Sequence, residues 1–239
     1  MATAEPGTIQ PPSIHYPSLE AFVQVVVIGS SKGTGNALVR QLLANDVEVR
    51  AMIRDPAQSA ALEALGATTV LGDLEGDLDG VVEGADAVAF CAGSGSKTGA
   101  DATLRVDLHG AVRVIDRCVA AGVGRFVLLS SMAADDPMRG SEKIRHYLAA
   151  MHARERLLVA SGLDATIVRP GGLTHDPGTG SVAVGIPTLE SRGAIPREDV
   201  AAILAGCLAD DATIGATFEV VSGDTPIAEA LAEVAARSV

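Results

Sequence analysis

The residue best suited to acid–base chemistry is Tyr147, in the stretch HYLAAMHARERLL at residues 146–158. A phenol can give or take a proton at a substrate oxygen. Its ordinary pKa of about 10 makes it a weak catalyst at neutral pH unless a nearby cation lowers that pKa. On a helix, Tyr147 and Met151 share one face. The sequence therefore puts an apolar side chain where a cation would assist the tyrosine.

A second group of chemically informative residues is the glycine-rich stretch GSSKGTG at residues 29–35. It follows a short apolar run and precedes an Ala/Leu-rich segment, as at a strand-to-helix turn. Glycines at such a turn allow backbone N–H groups to approach a pyrophosphate, and the helix N-terminus attracts its charge. The sequence predicts a dinucleotide site that includes Gly29, Ser31, Lys32, Gly33, Thr34 and Gly35.

Two cations indicate which nicotinamide dinucleotide this site prefers. Lys32 stands where a G-x-x-G-x-x-G turn has its middle glycine, and Arg54 follows the second apolar run. An NAD-preferring site usually has an acid there to hold the ribose 2′-hydroxyl. Lys32 and Arg54 therefore favour NADP, which carries a 2′-phosphate. Asp55 follows directly and could face the ribose, so NAD stays the alternative cofactor. Solvated surface cations are the alternative role for Lys32 and Arg54.

The scaffold for these residues is predicted by the apolar pattern. Short β-branched runs alternate with longer Ala/Leu-rich segments, and runs that are apolar throughout suit strands covered on both faces. Strands are expected at 22–28, 47–53, 68–71, 87–90, 125–130, 165–168 and 218–221, and helices near 34–44, 56–65, 101–121, 141–161, 197–209 and 225–236, with a mixed segment at 172–195. This order predicts an α/β fold, a Rossmann-type doubly wound parallel sheet in a single domain. The domain should span residues 21–239, after a flexible N-terminal arm at residues 1–20.

Composition narrows the classes of partner. The net charge is -12 and three lysines occur, which argues against a nucleic-acid surface, since phosphate neutralisation needs clustered cations. The three cysteines have no metal or disulfide spacing and suit a reducing compartment, so the cytoplasm is the expected location. No apolar run approaches the roughly 20 residues needed to cross a bilayer. A small-molecule substrate is the expected partner.

Many short stretches in one order resemble the short-chain dehydrogenases/reductases, specifically the small atypical group of single-domain NAD(P)-binding proteins. They are GSSKGTG (29–35), VRAMIRDP (49–56), GDL (72–74), FCAGSG (90–95), VDLHGAVRVIDRCVAAGVGRFVLLSSM (106–132), ASGLDATIVRPGGLTHDPGTG (160–180), REDVA (197–201) and FEVVSGDTPIAEAL (218–231). The resemblance implies a Rossmann fold and an NAD(P)-dependent oxidoreductase acting as a monomer or a homodimer.

The resemblance also implies roles for individual residues. Asp73 and Leu74 would lie beside the adenine, and Cys91, Ala92 and Gly93 would pass along the cofactor. Ser130 and Ser131 would end the fifth strand near the nicotinamide and, with Tyr147, form the catalytic group. Arg169, Pro170 and Gly171 would line the same pocket from the end of the sixth strand.

The chain departs from this family at its catalytic motif, Tyr-x-x-x-Lys, which here reads Tyr147 and Met151. In one interpretation another cation compensates: Lys143, His146 or His152. In a second, hydride passes to a flavin or quinone with little help from an acid. In a third, the protein binds NAD(P) without turnover, as a sensor or scaffold. An isomerase or cyclase built on the same scaffold is a further alternative, because fold does not fix function.

Overall fold

The structure, a computed structural model, describes residues 24–95 and 98–237. The expected N-terminal arm lies outside the described residues. A nine-stranded sheet runs through the centre in the order β11-β8-β10-β6-β5-β4-β1-β2-β3, and β7 and β9 form a separate pair. The strands are β1 Gln24–Ile28, β2 Glu48–Ile53, β3 Thr68–Leu71, β4 Ala87–Phe90, β5 Arg125–Leu129, β6 Asp164–Pro170, β7 Gly172–Thr174, β8 Ser181–Gly185, β9 Ala194–Pro196, β10 Thr217–Ser222 and β11 Thr225–Pro226.

Helices cover both faces of this sheet. They are α1 Gly33–Leu43, α2 Ser59–Glu63, α3 Ala100–Ala102, α4 Ala111–Ala121, α5 Glu142–Ala160, α6 Arg197–Ala209 and α7 Ile227–Arg237, with 3-10 turns at Pro56–Gln58, Pro137–Arg139 and Asp211–Thr213. Successive strand residues point to opposite faces. Val25 and Val27 of β1 accordingly pack with α1, α6 and α7. Val26 and Ile28 pack with α4 and the end of α5.

The predicted Rossmann-type fold is confirmed, but the sheet is only mostly parallel. The segment 172–195, expected to be mixed, supplies β7, β8 and β9. Strand β8 pairs antiparallel with β10, and β11 pairs antiparallel with β8. These short strands are partly buried and carry Gly and Pro, so they lack the continuous apolar run that marks a central parallel strand.

One predicted helix, 101–121, is interrupted. Between α3 and α4 the chain forms a π-helical stretch, Thr103–Gly110. Asp107 lies in its middle and is almost completely buried. Its carboxylate accepts hydrogen bonds from the backbone N–H of Ser94 at 3.2 Å and from Ser94 Oγ at 2.5 Å. Asp107 therefore ties this stretch to the loop that follows β4. Single-turn π segments are frequent at functional sites.

The sheet order places the natural ligand crevice at the ends of β1 and β4. From β1 the chain continues outward through β2 and β3, whereas β4, β5 and β6 extend in the opposite direction. In open α/β sheets ligands bind where the order reverses, beyond the carboxyl ends of the strands. The glycine-rich turn after β1 and the loop after β4 both meet at that point.

A buried ion pair fixes α5 against this edge of the sheet. Arg169 of β6 donates two hydrogen bonds to the carboxylate of Glu155 in α5, at 3.1 and 2.6 Å. Beside Arg169 lies Glu219 of β10, which is fully buried. Glu219 accepts hydrogen bonds from the backbone N–H groups of Ala133 and Leu189, both at 2.8 Å. The two carboxylates thus hold one helix and two loops around a single arginine.

Replacing Glu155 by Gln should therefore destabilise the protein severely. The substitution keeps the size of the side chain but leaves Arg169 buried without its paired charge, a defect that costs about 3–5 kcal/mol. Urea-induced unfolding measures the change. Glu233→Gln is the matched control, because Glu233 pairs with Arg237 on the surface and exposed pairs contribute little. Equal midpoints for the two variants would contradict the role assigned to the Glu155–Arg169 pair.

Candidate active site

Two cavities lie end to end at the carboxyl edge of the sheet, with volumes of about 560 and 480 Å³. They share the same lining along the loop after β4: Cys91, Ala92, Gly93, Ser94, Gly95 and Thr98. The two cavities therefore form one groove across the point where the strand order reverses. The smaller one is called the glycine-loop cavity below, and the larger one the tyrosine cavity.

The glycine-loop cavity gathers most of the residues predicted to hold a dinucleotide. Its lining includes Gly29, Ser31, Lys32, Arg54, Asp73, Leu74, Cys91, Ala92 and Gly93. Gly29 has a φ of +87°, and a Cβ there would lie 2.6 Å from the backbone nitrogen of Ala92. Only glycine permits this close approach of the turn to the loop after β4.

The helix that follows the glycine turn offers free donors to an anion. Lys32, at the N-cap of α1, makes no side-chain capping hydrogen bond, and the first turn contains no acidic residue. The buried Thr34 Oγ1 has no hydrogen-bond partner among the described residues. An uncapped helix N-terminus with an orphaned hydroxyl suits a phosphate group, so these residues fit a dinucleotide pyrophosphate.

The acid that could face an NAD ribose is engaged elsewhere. Asp55 accepts a hydrogen bond from the backbone N–H of Ala57 at 2.9 Å, and Gln58 accepts from the N–H groups of Arg54 and Asp55. Asp55 thereby caps the 3-10 turn after β2 and does not line the cavity, whereas Lys32 and Arg54 do. No ion pair joins either cation to another residue in 24–95 or 98–237.

The tyrosine cavity brings together the predicted catalytic residues. Ser130 and Ser131 follow β5, Tyr147 comes from α5, and Pro170 and Gly171 end β6. The Ser131 side chain lies near enough to Tyr147 to lower the pKa of the phenol, while its Oγ donates to the carbonyl oxygen of Met132 at 3.3 Å. Arg169, which the family resemblance put in the same pocket, is not part of its lining because its guanidinium is paired with Glu155. Arg169 supports the wall from behind.

Met151, at the position of the family's lysine, does not line the cavity. It is 0% exposed and packs with Ala134 and Ala150, against the partly buried Leu108 and Tyr147. Of the cations considered in its place, Lys143 and His146 line the cavity. His152 does not; its Nδ1 lies 2.8 Å from the carbonyl oxygen of Ala134.

The cation that the sequence analysis missed is Arg154. It lies on α5 seven residues after Tyr147, is 2% exposed and lines the tyrosine cavity. Nη2 donates to the carbonyl oxygen of Leu129 at 2.6 Å, and the guanidinium stacks over the Phe90 ring, 5.6 Å from its centroid. Two-turn spacing on one helix face is the signal that would have identified it.

The pKa of Tyr147 reflects these surroundings. Burial of the phenol raises its pKa, and the nearby Arg154 cation and the Ser131 side chain oppose that rise only in part. Tyr147 therefore stays protonated at neutral pH, in the form that can donate a proton.

Arg197, the first residue of α6, is a second cation that the sequence analysis did not assign. Its Nη1 donates to the carbonyl oxygens of Leu173 and Thr174, at 3.1 and 2.9 Å. A Cβ placed on Gly33 would lie 3.5 Å from Arg197 Nε. Arg197 therefore bridges strand β7 and the glycine-rich turn, and it also lines the tyrosine cavity.

Other kinds of site are not found in the described part of the chain. Residues 24–95 and 98–237 contain no group of three or more His, Cys, Asp or Glu side chains arranged to hold a metal ion. Within the same ranges, no helix has both the length and the apolar character of a membrane span.

Known proteins match this chain over most of its length. The NAD(P)H-binding family matches residues 29–211. A Bacillus subtilis (strain 168) protein named as the uncharacterised sugar epimerase YhfK is 43% identical over 213 residues, 87% of this chain and 99% of that protein. A Bacillus halodurans structure, provisionally named an NAD-dependent epimerase/dehydratase, is 39% identical with a TM-score of 0.86, covering 88% of this chain and 99% of its own. The oxidoreductase ylbE from Lactococcus lactis is 27% identical with a TM-score of 0.81, covering 90% and 98%.

Introducing the family's lysine as Met151→Lys should destabilise the fold. The new ammonium would enter an apolar cluster that offers it no partner, at a cost of about 2–5 kcal/mol. Met138→Lys is the matched control, because Met138 is 68% exposed and should tolerate the charge. Chemical denaturation of both variants measures the difference. A Met151→Lys protein as stable as the control would show that the lysine escapes the cluster.

Proposed function

Since the chain belongs to the NAD(P)H-binding family of proteins related to short-chain dehydrogenases/reductases, we propose that it is a reductase that prefers NADPH and acts on a small molecule. The observation that carries this proposal is the continuity of the groove. A dinucleotide held at the glycine-rich turn would extend along Cys91 to Gly95 toward Ser130, Ser131 and Tyr147.

Different residues of the chain would hold different parts of the cofactor. The uncapped N-terminus of α1 and Arg197 would take the pyrophosphate, and Lys32 and Arg54 the 2′-phosphate. Asp73 and Leu74, which line the glycine-loop cavity, would contact the adenine. When bound, NADPH supplies a hydride. The engagement of Asp55 in the turn after β2 supports NADPH over NADH, because it removes the acid that would hold a free 2′-hydroxyl.

Tyr147 would donate the proton that completes the reduction. A hydride added to a carbonyl carbon leaves negative charge on the oxygen, and a protonated phenol beside that oxygen neutralises it. Ser131 lies beside Tyr147 and would orient the phenol, while Arg154 would help to stabilise the phenolate that forms. Arg154 would thus supply, from the buried side, part of the electrostatic stabilisation that the missing lysine would give.

The raised pKa of Tyr147 keeps the phenol protonated at neutral pH, the form from which a reductase donates its proton. Oxidation of an alcohol, which begins the reaction of an epimerase that works through a keto intermediate, requires a base to accept the hydroxyl proton. Burial keeps Tyr147 protonated and therefore poorly suited to that step. This supports a reductase, although the Bacillus subtilis relative is named as a sugar epimerase.

The test of the proposal is consumption of NADPH, followed by nicotinamide absorbance, across a panel of carbonyl, quinone and flavin acceptors. We expect turnover with at least one carbonyl compound. Binding of NADPH without turnover of any acceptor would contradict the reductase and favour a protein that senses the nucleotide.

Tyr147→Phe should lower kcat with a carbonyl substrate by about 100-fold or more, because a positioned general acid typically contributes that much. The ring is retained, so packing on Met151 and NADPH affinity should not change. The Tyr147-dependent rate should stay level from about pH 7 to about pH 9 and fall only as the phenol ionises, since burial raises its pKa above the usual value near 10. A variant as fast as the wild type would exclude Tyr147 as the acid.

The double substitution Lys32→Gln with Arg54→Gln should weaken NADPH binding by about 100-fold or more, since it removes two charged hydrogen bonds to the 2′-phosphate and each contributes about 1.5–3 kcal/mol. NADH affinity should change little. Arg40→Gln is the control, because Arg40 lies on the exposed face of α1 and bonds to Asn36. Nicotinamide fluorescence gives all the affinities. Equal losses for the two cofactors would place these cations away from the 2′-phosphate.

A further inference from the structure

The charged side chains that line the tyrosine cavity are mostly positive, whereas the protein as a whole has a negative net charge. The chain has a net charge of -12. The cavity nevertheless contains three cations, Lys143, Arg154 and Arg197, and its single acid is Asp107. The Asp107 carboxylate already accepts hydrogen bonds from Ser94. The described lining therefore offers positive charge to whatever occupies the cavity.

Arg154 has more N–H donors than there are acceptors around it. A guanidinium carries five N–H groups. Arg154 uses two, toward the carbonyl oxygens of Asp107 at 3.3 Å and Leu129 at 2.6 Å. Its Nε has no partner among the described residues. Arg154 forms no ion pair with a carboxylate of residues 24–95 or 98–237; Asp107 and Glu155 act on its charge, but Glu155 is paired with Arg169. Leaving a buried charged donor unmet is costly unless a ligand satisfies it.

Ser130, which lines the same cavity as Arg154, carries a second unmet group. Ser130 Oγ is buried, lines the same cavity and has no hydrogen-bond partner in the described part of the chain. Ser130 directly follows Leu129, whose carbonyl oxygen accepts the Arg154 hydrogen bond. A guanidinium and a hydroxyl, both unsatisfied, are thus brought together at the end of β5. Two such donors form a site for one anionic group.

We propose that the substrate is an oxo acid, whose carboxylate is bound by Arg154 and Ser130 while its carbonyl group faces Tyr147. The assignment of the carbonyl rests on the proposed reductase function; that of the carboxylate rests on Arg154 and Ser130 alone. A carboxylate matches the planar fork of a guanidinium and would give Arg154 a directly paired negative charge. Lys143 is an exposed residue of the cavity lining and would attract the anion electrostatically without forming its main contact.

Paired acids and amides test the proposal without any turnover. The complex of protein with NADP⁺ is titrated by calorimetry with butyrate, phenylacetate and 4-phenylbutyrate, and with the amide of each. We expect at least one acid to bind about 10-fold or more tightly than its amide, as a charged hydrogen bond allows. If every acid binds no tighter than its amide, the proposal is wrong. Tighter binding of benzylphosphonate than of phenylacetate would also overturn it, in favour of a phosphate site.

Substitutions in the cavity lining show which residues bind the anion. Arg154→Gln should abolish the preference for acids. Because Arg154 is buried and this variant can fail to fold, Ser130→Ala gives an independent measurement, with an expected loss of about 3- to 10-fold for acids and little change for amides. Lys143→Gln should preserve most of the preference. Loss of the preference in Lys143→Gln but not in Ser130→Ala would place the anion at the mouth and contradict the proposal.

The same samples separate this proposal from the proposed function. Binding of NADPH, followed by nicotinamide fluorescence, tests the cofactor groove alone. If NADPH binds and neutral ketones are reduced as well as their oxo-acid counterparts, the carboxylate site is wrong and the reductase stands. If acids bind but NADPH does not, the reductase is wrong and the anion site stands.

Discussion

The ion pair between Glu155 of α5 and Arg169 of β6 holds the tyrosine cavity together. An unpaired charge at that depth is strongly unfavourable, so helix and strand have one relative position in which both charges are satisfied. Tyr147 lies two turns before Glu155 on the same helix, and Pro170 directly follows Arg169. Glu219, next to Arg169 in the sheet, holds the backbone at Ala133 and Leu189. The residues expected to contact a substrate are thus positioned by buried charged side chains that do not themselves contact it.

The same helix explains how a tyrosine can serve without its family's lysine. One turn after Tyr147, Met151 packs into an apolar cluster and helps to fix the ring. Two turns after it, Arg154 places a cation beneath the cavity. A buried guanidinium stabilises a phenolate less directly than a neighbouring ammonium would, and the pKa of Tyr147 remains raised. Tyr147 therefore rests in its protonated form at neutral pH.

Sequence reasoning succeeded where a residue's role follows from its place along the chain. The strands are recognisable as apolar runs, and in a parallel sheet their carboxyl ends must meet. Gly29 and Ser130 could therefore be assigned to one edge, and the family resemblance added Tyr147 and Gly171. The antiparallel β8 escaped prediction because short, partly buried strands carry no continuous apolar signal.

Roles that depend on partners distant in sequence could not be predicted. Arg169 lies near the end of a strand, where pocket residues are expected. The orientation of its side chain, however, is set by Glu155 on α5. In the sequence, Asp107 is one polar residue within a predicted helix. Only its contact with Ser94 in the structure shows that it anchors the loop after β4. Arg154 could have been found by its spacing from Tyr147, whereas Arg197 could not, because its neighbour Gly33 lies far away in sequence.

The most direct test of this account is a titration of the wild-type protein with NADPH and with NADH, in separate experiments followed by nicotinamide fluorescence. The account requires one molecule of NADPH to bind per chain, more tightly than NADH by about 10-fold or more, the worth of one charged hydrogen bond to the 2′-phosphate. Binding of neither nucleotide would mean that the groove holds something else, and the assignment of the glycine-rich turn, Lys32 and Arg54 would fall together.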